Sequence, residues 1–541
     1  MATKYRVKSP FSTFLSAIVM AGGSVAEADY YVSTLGNDAT GNGTYSNPWG
    51  SVSFALTQVT GTKSIYVLPG EYTESDQWVV PIGVSVFGSM DASNQTIINV
   101  AYNDGDTDGS PANPNISFLY LGSSIEGTNG NQSISYLTFQ ATAGATRLGQ
   151  CRARSNVAIH NCTILDFFAD GFTFNGQANE IPGTGPLVHA EGNSFHHNTV
   201  INCSKYSGYG HGCLQIGGQI GFLCYSNTIV QQGRPTATNG YCIKYYMNGY
   251  NNGLKIYNNN LYKSFDDGTP SGYLFAIEMW YYQGIEVYDN TICGGIDLAV
   301  GSVGAYGFTA KFYNNLVGPA VQPTYTVGVA LEFEYFADTV YCYNNVFRNT
   351  GYCVLLAPTV TGNIITNINV YNNITLNSKL FGQSGTALVT LSNVNIINNT
   401  CYRTSGPSNE AIHIPYFGTS SNYVVDNNIL VGYTNAGIVC NNGTASNTMS
   451  NLTIRNNLFY NCGSSNGVKF NDVASSTTYL SGYVNTGNLV GDPLFKTAID
   501  THILTASPAK QPAGIYHAAI TTDFDGVIRA NPPSIGAYEY V

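Results

Sequence analysis

The sequence predicts an all-β fold, a right-handed single-stranded parallel β-helix with a short N-terminal capping helix. Three observations carry that prediction. At 541 residues the chain exceeds one ordinary core, so it either divides into domains or grows along one axis as a solenoid. Composition favours growth along an axis: 59 glycines, 40 tyrosines and only 10% charged residues describe short strands punctuated by turns, not helices rich in Glu, Lys and Ala. The third observation is a repeat.

The repeat has the form apolar-x-Asn-Asn-apolar-apolar and is plainest at Val287–Ile292, Phe312–Val317, Val370–Thr375, Ile396–Cys401 and Ile454–Phe459. Its second polar position falls on Cys162, Asn198, Asn227, Asn259, Asn290, Asn315, Asn345, Asn373, Asn399, Asn428, Asn457 and Asn488, a mean period of about 30 residues. Each copy alternates apolar and polar residues and then turns at Asn. That residue tolerates the left-handed conformation and can hydrogen-bond to the Asn stacked above it, which predicts a ladder along the solenoid. A propeller blade needs four antiparallel strands, and these copies hold about three short ones. A leucine-rich-repeat horseshoe needs a periodic Leu that is absent here.

The elements follow in chain order. Residues 1–28 carry Lys4, Arg6 and Lys8, an apolar run from Phe11 to Ala21, and Val25-Ala26-Glu27-Ala28 before Asp29, the pattern of an export signal. Ser12, Thr13 and Ser16 dilute the run, and the alternative is an ordered N-terminal arm. Residues 29–80 form the start of the fold and its cap: Pro48 opens a short helix that places Trp49, Val52, Leu56 and Val59 on one face, suited to plugging the first coil. Residues 81–490 form the coils, and 491–541 a closing segment. Beyond the signal no segment reaches the roughly 18 apolar residues that span a bilayer.

Composition also bounds the ligand. Thirty-two acidic against 21 basic residues give a net charge of −11, with Lys and Arg scattered singly, which excludes a nucleic-acid backbone as partner. A weakly charged surface rich in aromatics suits sugars, whose C–H faces stack on Tyr and Trp while their hydroxyls bond to Asn and Asp. The 12 cysteines do not form a disulfide framework: Cys203 and Cys462 share one register and Cys224 and Cys342 another, coils apart, which predicts interior packing. Unpaired thiols in this number favour synthesis in a reducing compartment and count against the export signal.

Tyr30–Asp38, Asn47–Leu56 and Ile65–Tyr72 at the start, with Asp492–Phe495, Ala506–Ala509, Asp523–Gly526 and Ile535–Glu539 at the end, resemble the pectate-lyase-like right-handed parallel β-helix proteins. The resemblance covers nearly the whole chain after residue 29. It implies recognition of an extracellular polysaccharide by a lyase or glycoside hydrolase, working with carboxylates and calcium plus a base or with paired carboxylates. The alternative it implies is a bacteriophage tailspike or other virion protein that docks on host cell-surface glycans, such spikes being homotrimers. Location is accordingly extracellular or on a virion.

Both chemistries need acids on neighbouring coils. The strands Ile243–Met247, Ala276–Trp280 and Ala330–Tyr335 stack approximately, and alternation turns Lys244, Tyr246, Glu278, Trp280, Glu332 and Glu334 outward. Glu278 and Glu334 are the candidate acid and base and Lys244 the charge stabiliser; Tyr246, Trp280, Tyr282 and Glu332 are candidate substrate contacts. The alternative is an ordinary solvated sheet face. Gly210–Gly218 and Asn239–Lys244 resemble two segments of polygalacturonases, and carried over by position this adds His211 to Lys244 as catalytic candidates. Cys242 stands where that family has Arg, and its adjacent Asp pair is missing; Asp166 and Asp170 are the nearest upstream acids. Asp104, Asp106 and Asp108 alternate as oxygen ligands for Ca²⁺ do, the alternative being a hydrated turn. Asp266 and Asp267 read as a turn, and His196 and His197, being consecutive on a strand, are expected on opposite faces.

Overall fold

The computed structural model describes residues 27–540 except 104–116, 143–144, 177–188, 205–210, 232–239, 246–250, 264–274, 281, 300–308, 319–326, 335–336, 359–360, 385–388, 406–408, 417, 443–447, 471–479 and 498. The chain winds through three parallel sheets of 19, 15 and 14 strands. One coil shows the order: Asn251–Tyr257 lies in the first sheet, Asn260–Lys263 in the second and Phe275–Trp280 in the third, and Tyr282–Tyr288 re-enters the first. Each strand pairs in parallel register with its counterpart one coil on, as Tyr257 with Tyr288, Leu261 with Ile292 and Lys244 with Glu278. The right-handed parallel β-helix read from the repeat is the fold.

The ladder holds at all 12 positions. From Cys162 to Asn457, each ladder residue donates its backbone N–H to the Oδ1 of the next ladder Asn at 2.8–3.1 Å. The left-handed residue is not the ladder Asn itself but its predecessor: Asn258, Asp289, Asn314, Asn344, Asn372, Asn398 and Asn427 have φ of 53–57°. The two polar positions therefore do different work. The first reverses the chain and the second, buried, bonds along the axis.

His197 occupies this left-handed position, with φ 56°, so the expected divergence of His196 and His197 does not hold. Strand alternation ends one residue before the turn, and the two Nδ1 atoms meet at 3.0 Å. On the outer face just before the turn, His160, His196, Tyr225, Tyr257, Tyr288, Tyr313, Tyr343 and Tyr371 stack in one column, ring centroids 4.6–5.0 Å apart and within 10° of parallel. Because the rings stack along the axis, they turn edges and hydroxyls outward. The column braces the coil and is no platform for a sugar face.

The start of the fold differs from the reading in two respects. Tyr30–Val32 already pairs with Lys63–Val67, so coiling begins at residue 30 and not at 81. The helix spans Val52–Gln58 with Ser51 as N-cap, because the Ser51 hydroxyl accepts from the Phe54 N–H, so Pro48 lies outside it. Trp49, Val52, Leu56 and Val59 are buried as the capping role requires. None of the 12 cysteines is in a disulfide, and all are buried except the half-buried Cys462. After Val490 the closing segment runs back over the turns: Asn456 Nδ2 donates to Ala513 O, Asn427 Nδ2 to Ile515 O and Asn372 Nδ2 to Thr522 O. Buried Asp426 ties it down through His517 at 3.2 Å, and pairs with Arg455 of the neighbouring coil at 2.6 Å. Among the described residues no helix is long and apolar enough to cross a membrane.

Candidate functional site

The third sheet carries the chemistry. Its inward positions are apolar, as Ile243, Ile277, Met279, Ile296, Leu298, Leu331 and Phe333 show. Alternation turns the residues between them outward, and parallel register stacks those into columns. One column runs Gln150, Thr173, Gln215, Lys244, Glu278, Asp297, Glu332 and Leu355. A cation and three carboxyls thus follow one another on successive rungs about 4.8 Å apart. Two residues further along each strand, Trp280 and Glu334 lie on the same face.

Four of the predicted residues, Lys244, Glu278, Glu332 and Glu334, are brought together with Trp280 beside them. The structure inserts Asp297 between Glu278 and Glu332, a residue the sequence reading missed. The strand Gly295–Ala299 follows the Asn290 copy by too few residues for a visible loop and carries one polar side chain, so it offers little pattern. Its alternation, Ile296-Asp297-Leu298 after a ladder copy, was the available signal.

The groups differ in their surroundings. Lys244 forms an ion pair with Glu278 and lies 4.2 Å from the centre of the Tyr241 ring, whose hydroxyl donates to Glu278 Oε1 at 3.3 Å. Burial takes the Lys244 ammonium down to about 8, with Asp297 opposing and Lys263 adding to the fall. Asp297 is only 5% exposed, and its Oδ1 has no hydrogen-bond partner among the described residues. Burial first, then Glu332 and Glu334, push its carboxyl well above the usual range against the pull of Lys244. Burial and the neighbouring Glu334 push Glu332 up to about 7. One face therefore holds a lysine-paired carboxylate and, one and two rungs away, carboxyls whose affinity for a proton is raised. Environments that drive like groups apart in this way are what acid–base chemistry requires.

Other predicted residues fall elsewhere. Tyr282, expected as a substrate contact, is 1% exposed and packs in the core, because it begins the next first-sheet strand and points inward. His211 pairs with Gly240, four residues before Lys244, about 13 Å away along the strand. There its Nδ1 lies 2.8 Å from Asp170, which also meets Arg147 Nε at 3.0 Å. Burial raises the Asp170 carboxyl, but His211 and Arg147 outweigh it and hold it below the usual range. This buried cluster is separate from the acidic column. Tyr246, Asp104, Asp106, Asp108, Asp266 and Asp267 lie outside the described residues. Among the described residues no group of three or more His, Cys, Asp or Glu is arranged to hold a metal ion.

No family model and no curated protein matches the chain. Solved structures do. The complex of XylC with xylose aligns over 95% of this chain and 98% of its own at 11% identity and TM-score 0.38. The tailspike protein of E. coli bacteriophage HK620 in complex with pentasaccharide aligns over 81% and 73% at 11% identity and TM-score 0.45. PfbA, a surface adhesin of Streptococcus pneumoniae, aligns over 78% and 88% at 13% identity and TM-score 0.40. The chain has the parallel β-helix fold, which its own sheet registers establish.

Proposed function

We propose that the outward face of the third sheet is a glycan cleft in which paired carboxyls hydrolyse a polysaccharide. The observation that carries this reading is the column Lys244, Glu278, Asp297, Glu332, four rungs in register. Glu278, ion-paired with Lys244, acts as base on a water; Glu332, near 7, donates a proton to the leaving oxygen. Two rungs separate them, about 9.6 Å between backbones. That spacing lies at the wide end of the roughly 6.5–9.5 Å at which paired carboxyls leave room for the water and give inversion at the anomeric carbon, and is wider than the roughly 5 Å of a retaining pair. Asp297, its proton affinity raised and one buried oxygen without a partner among the described residues, bonds a sugar hydroxyl between them. Burial and Glu334 raise the proton affinity of Glu332, and Trp280 offers an apolar contact to the ring.

The test is a panel of neutral and acidic polysaccharides assayed for new reducing ends, with Glu278→Gln, Glu332→Gln and wild type compared. Each variant is expected to lose about 100-fold or more of the activity while still retaining the glycan. Proton NMR of the first product should show the inverted anomer. Full activity in both variants refutes the assignment. Retention of glycans by wild type with no cleavage of any replaces hydrolysis by the docking role, a host-glycan receptor site on a virion appendage.

A further inference from the structure

The aromatic column ends in a feature that the acidic face does not use. His196 closes the strand Ser194–His196, and its ring is sandwiched between His160, 4.9 Å away and 4° from parallel, and Tyr225, 4.6 Å away and 10° from parallel. His197, in the left-handed turn, stands edge-on to His196 at 86° and to Tyr225 at 84°. Both rings are thus held by neighbours, and the Nδ1 atoms are brought to 3.0 Å. One rung earlier the same geometry joins His160 Nδ1 to Asn161 Oδ1 at 2.9 Å, a contact that one N–H···O bond satisfies. At His196 and His197 the turn instead brings two imidazole nitrogens together, so that a single N–H···N bond joins two groups that can each also bind a metal ion.

We propose that His196 and His197 form a two-nitrogen chelate for a divalent transition-metal ion that prefers tetragonal geometry, copper(II) before nickel(II). With metal–nitrogen bonds of about 2.0 Å, nitrogens 3.0 Å apart subtend roughly 95° at a shared ion. That bite matches the right angle of a square-planar or tetragonal site and is too narrow for tetrahedral zinc. His197 is exposed, which leaves an approach from solvent. No third His, Cys, Asp or Glu among the described residues closes the site, so water or a small anion completes the coordination.

The repeat itself supplies variants that keep the fold. Asn stands at the position of His197 in Asn258, Asn314 and Asn344, and Tyr at the position of His196 in Tyr225, Tyr257 and Tyr288. Full-length protein is titrated with Cu²⁺ and with Ni²⁺ by calorimetry, and the copper form is examined by electron paramagnetic resonance. One equivalent of copper with nitrogen hyperfine structure is expected, bound more tightly than nickel. His197→Asn and His196→Tyr should each weaken it by about 10-fold or more, whereas His160→Tyr should leave it within about twofold. Copper binding unchanged in both variants, an equal loss in His160→Tyr, or zinc bound more tightly than copper would each overturn the assignment.

Discussion

Asn345 is fully buried at the centre of the ladder, and replacing it with Ala tests how the ladder holds the coils. Its Oδ1 accepts from the backbone N–H of Asn315 at 2.9 Å and from Asn315 Nδ2 at 3.0 Å. Its Nδ2 donates to Phe312 O at 2.9 Å and to Asn373 Oδ1 at 3.0 Å. In Asn345→Ala the Asn315 amide and the Phe312 carbonyl lose these partners inside a coil that water does not reach. Asn315 Nδ2 keeps Val287 O and Tyr313 O, and Asn373 Oδ1 keeps the Asn345 backbone N–H, so only two groups are stranded. At about 1–3 kcal/mol for each buried unsatisfied group, the loss is about 4 kcal/mol.

A solenoid need not unfold in one step, so the assay must be local. Hydrogen exchange of the Asn315 amide reads the loss directly and should speed up by about two to three orders of magnitude. Asn488→Ala removes the same kind of acceptor from Asn457, at 2.8 Å, but at the half-buried last rung, where water substitutes; about 1 kcal/mol is expected there. Wild-type exchange at Asn315 in the central variant, or equal losses at centre and end, would refute the view that the ladder works by satisfying groups cut off from water.

Two further outcomes follow from the structure. Glu332 is raised from 4.5 to about 7, so the folded state holds a proton that the unfolded state has released between those values; stability should fall as pH rises through that window, by up to roughly 3 kcal/mol. Glu332→Gln should flatten a plot of Tm against pH there, and a superimposable profile would show that the carboxyl is not held protonated. Tyr288→Ala removes stacking on Tyr257 at 4.9 Å and Tyr313 at 4.8 Å and should cost about 1–3 kcal/mol in denaturant, while Tyr288→Phe restores most of it; a Phe variant as damaged as Ala would shift the column's role to its hydroxyls.

What was legible in the sequence was what repeats. The ladder could be read because one residue type has to satisfy the same bonds on every coil, so Asn290, Asn315 and Asn345 are fixed independently of their surroundings. The aromatic column obeys the same logic, yet was not read, because Tyr is abundant and its alignment appears only once the left-handed position before each ladder Asn is known. That position also explains the error at His196 and His197: alternation is a property of a strand, and their peptide is the point at which the strand ends.

The acidic face obeys the opposite logic. Along its column the side chains change from amide and hydroxyl at Gln150, Thr173 and Gln215 to ammonium at Lys244, carboxyls at Glu278, Asp297 and Glu332, and then the apolar Leu355. No coil-by-coil rule produces that order, so the sequence yields its members only through register, and a misjudged coil hides one, as it hid Asp297. Like carboxyls on adjacent rungs raise one another's proton affinity and oppose the packing that the ladder favours. A solenoid held by a ladder on one corner can carry such a column at a distant sheet without losing its register. The ladder and the acidic face do not touch, so neutralising Glu332 should raise stability without altering the exchange of Asn315.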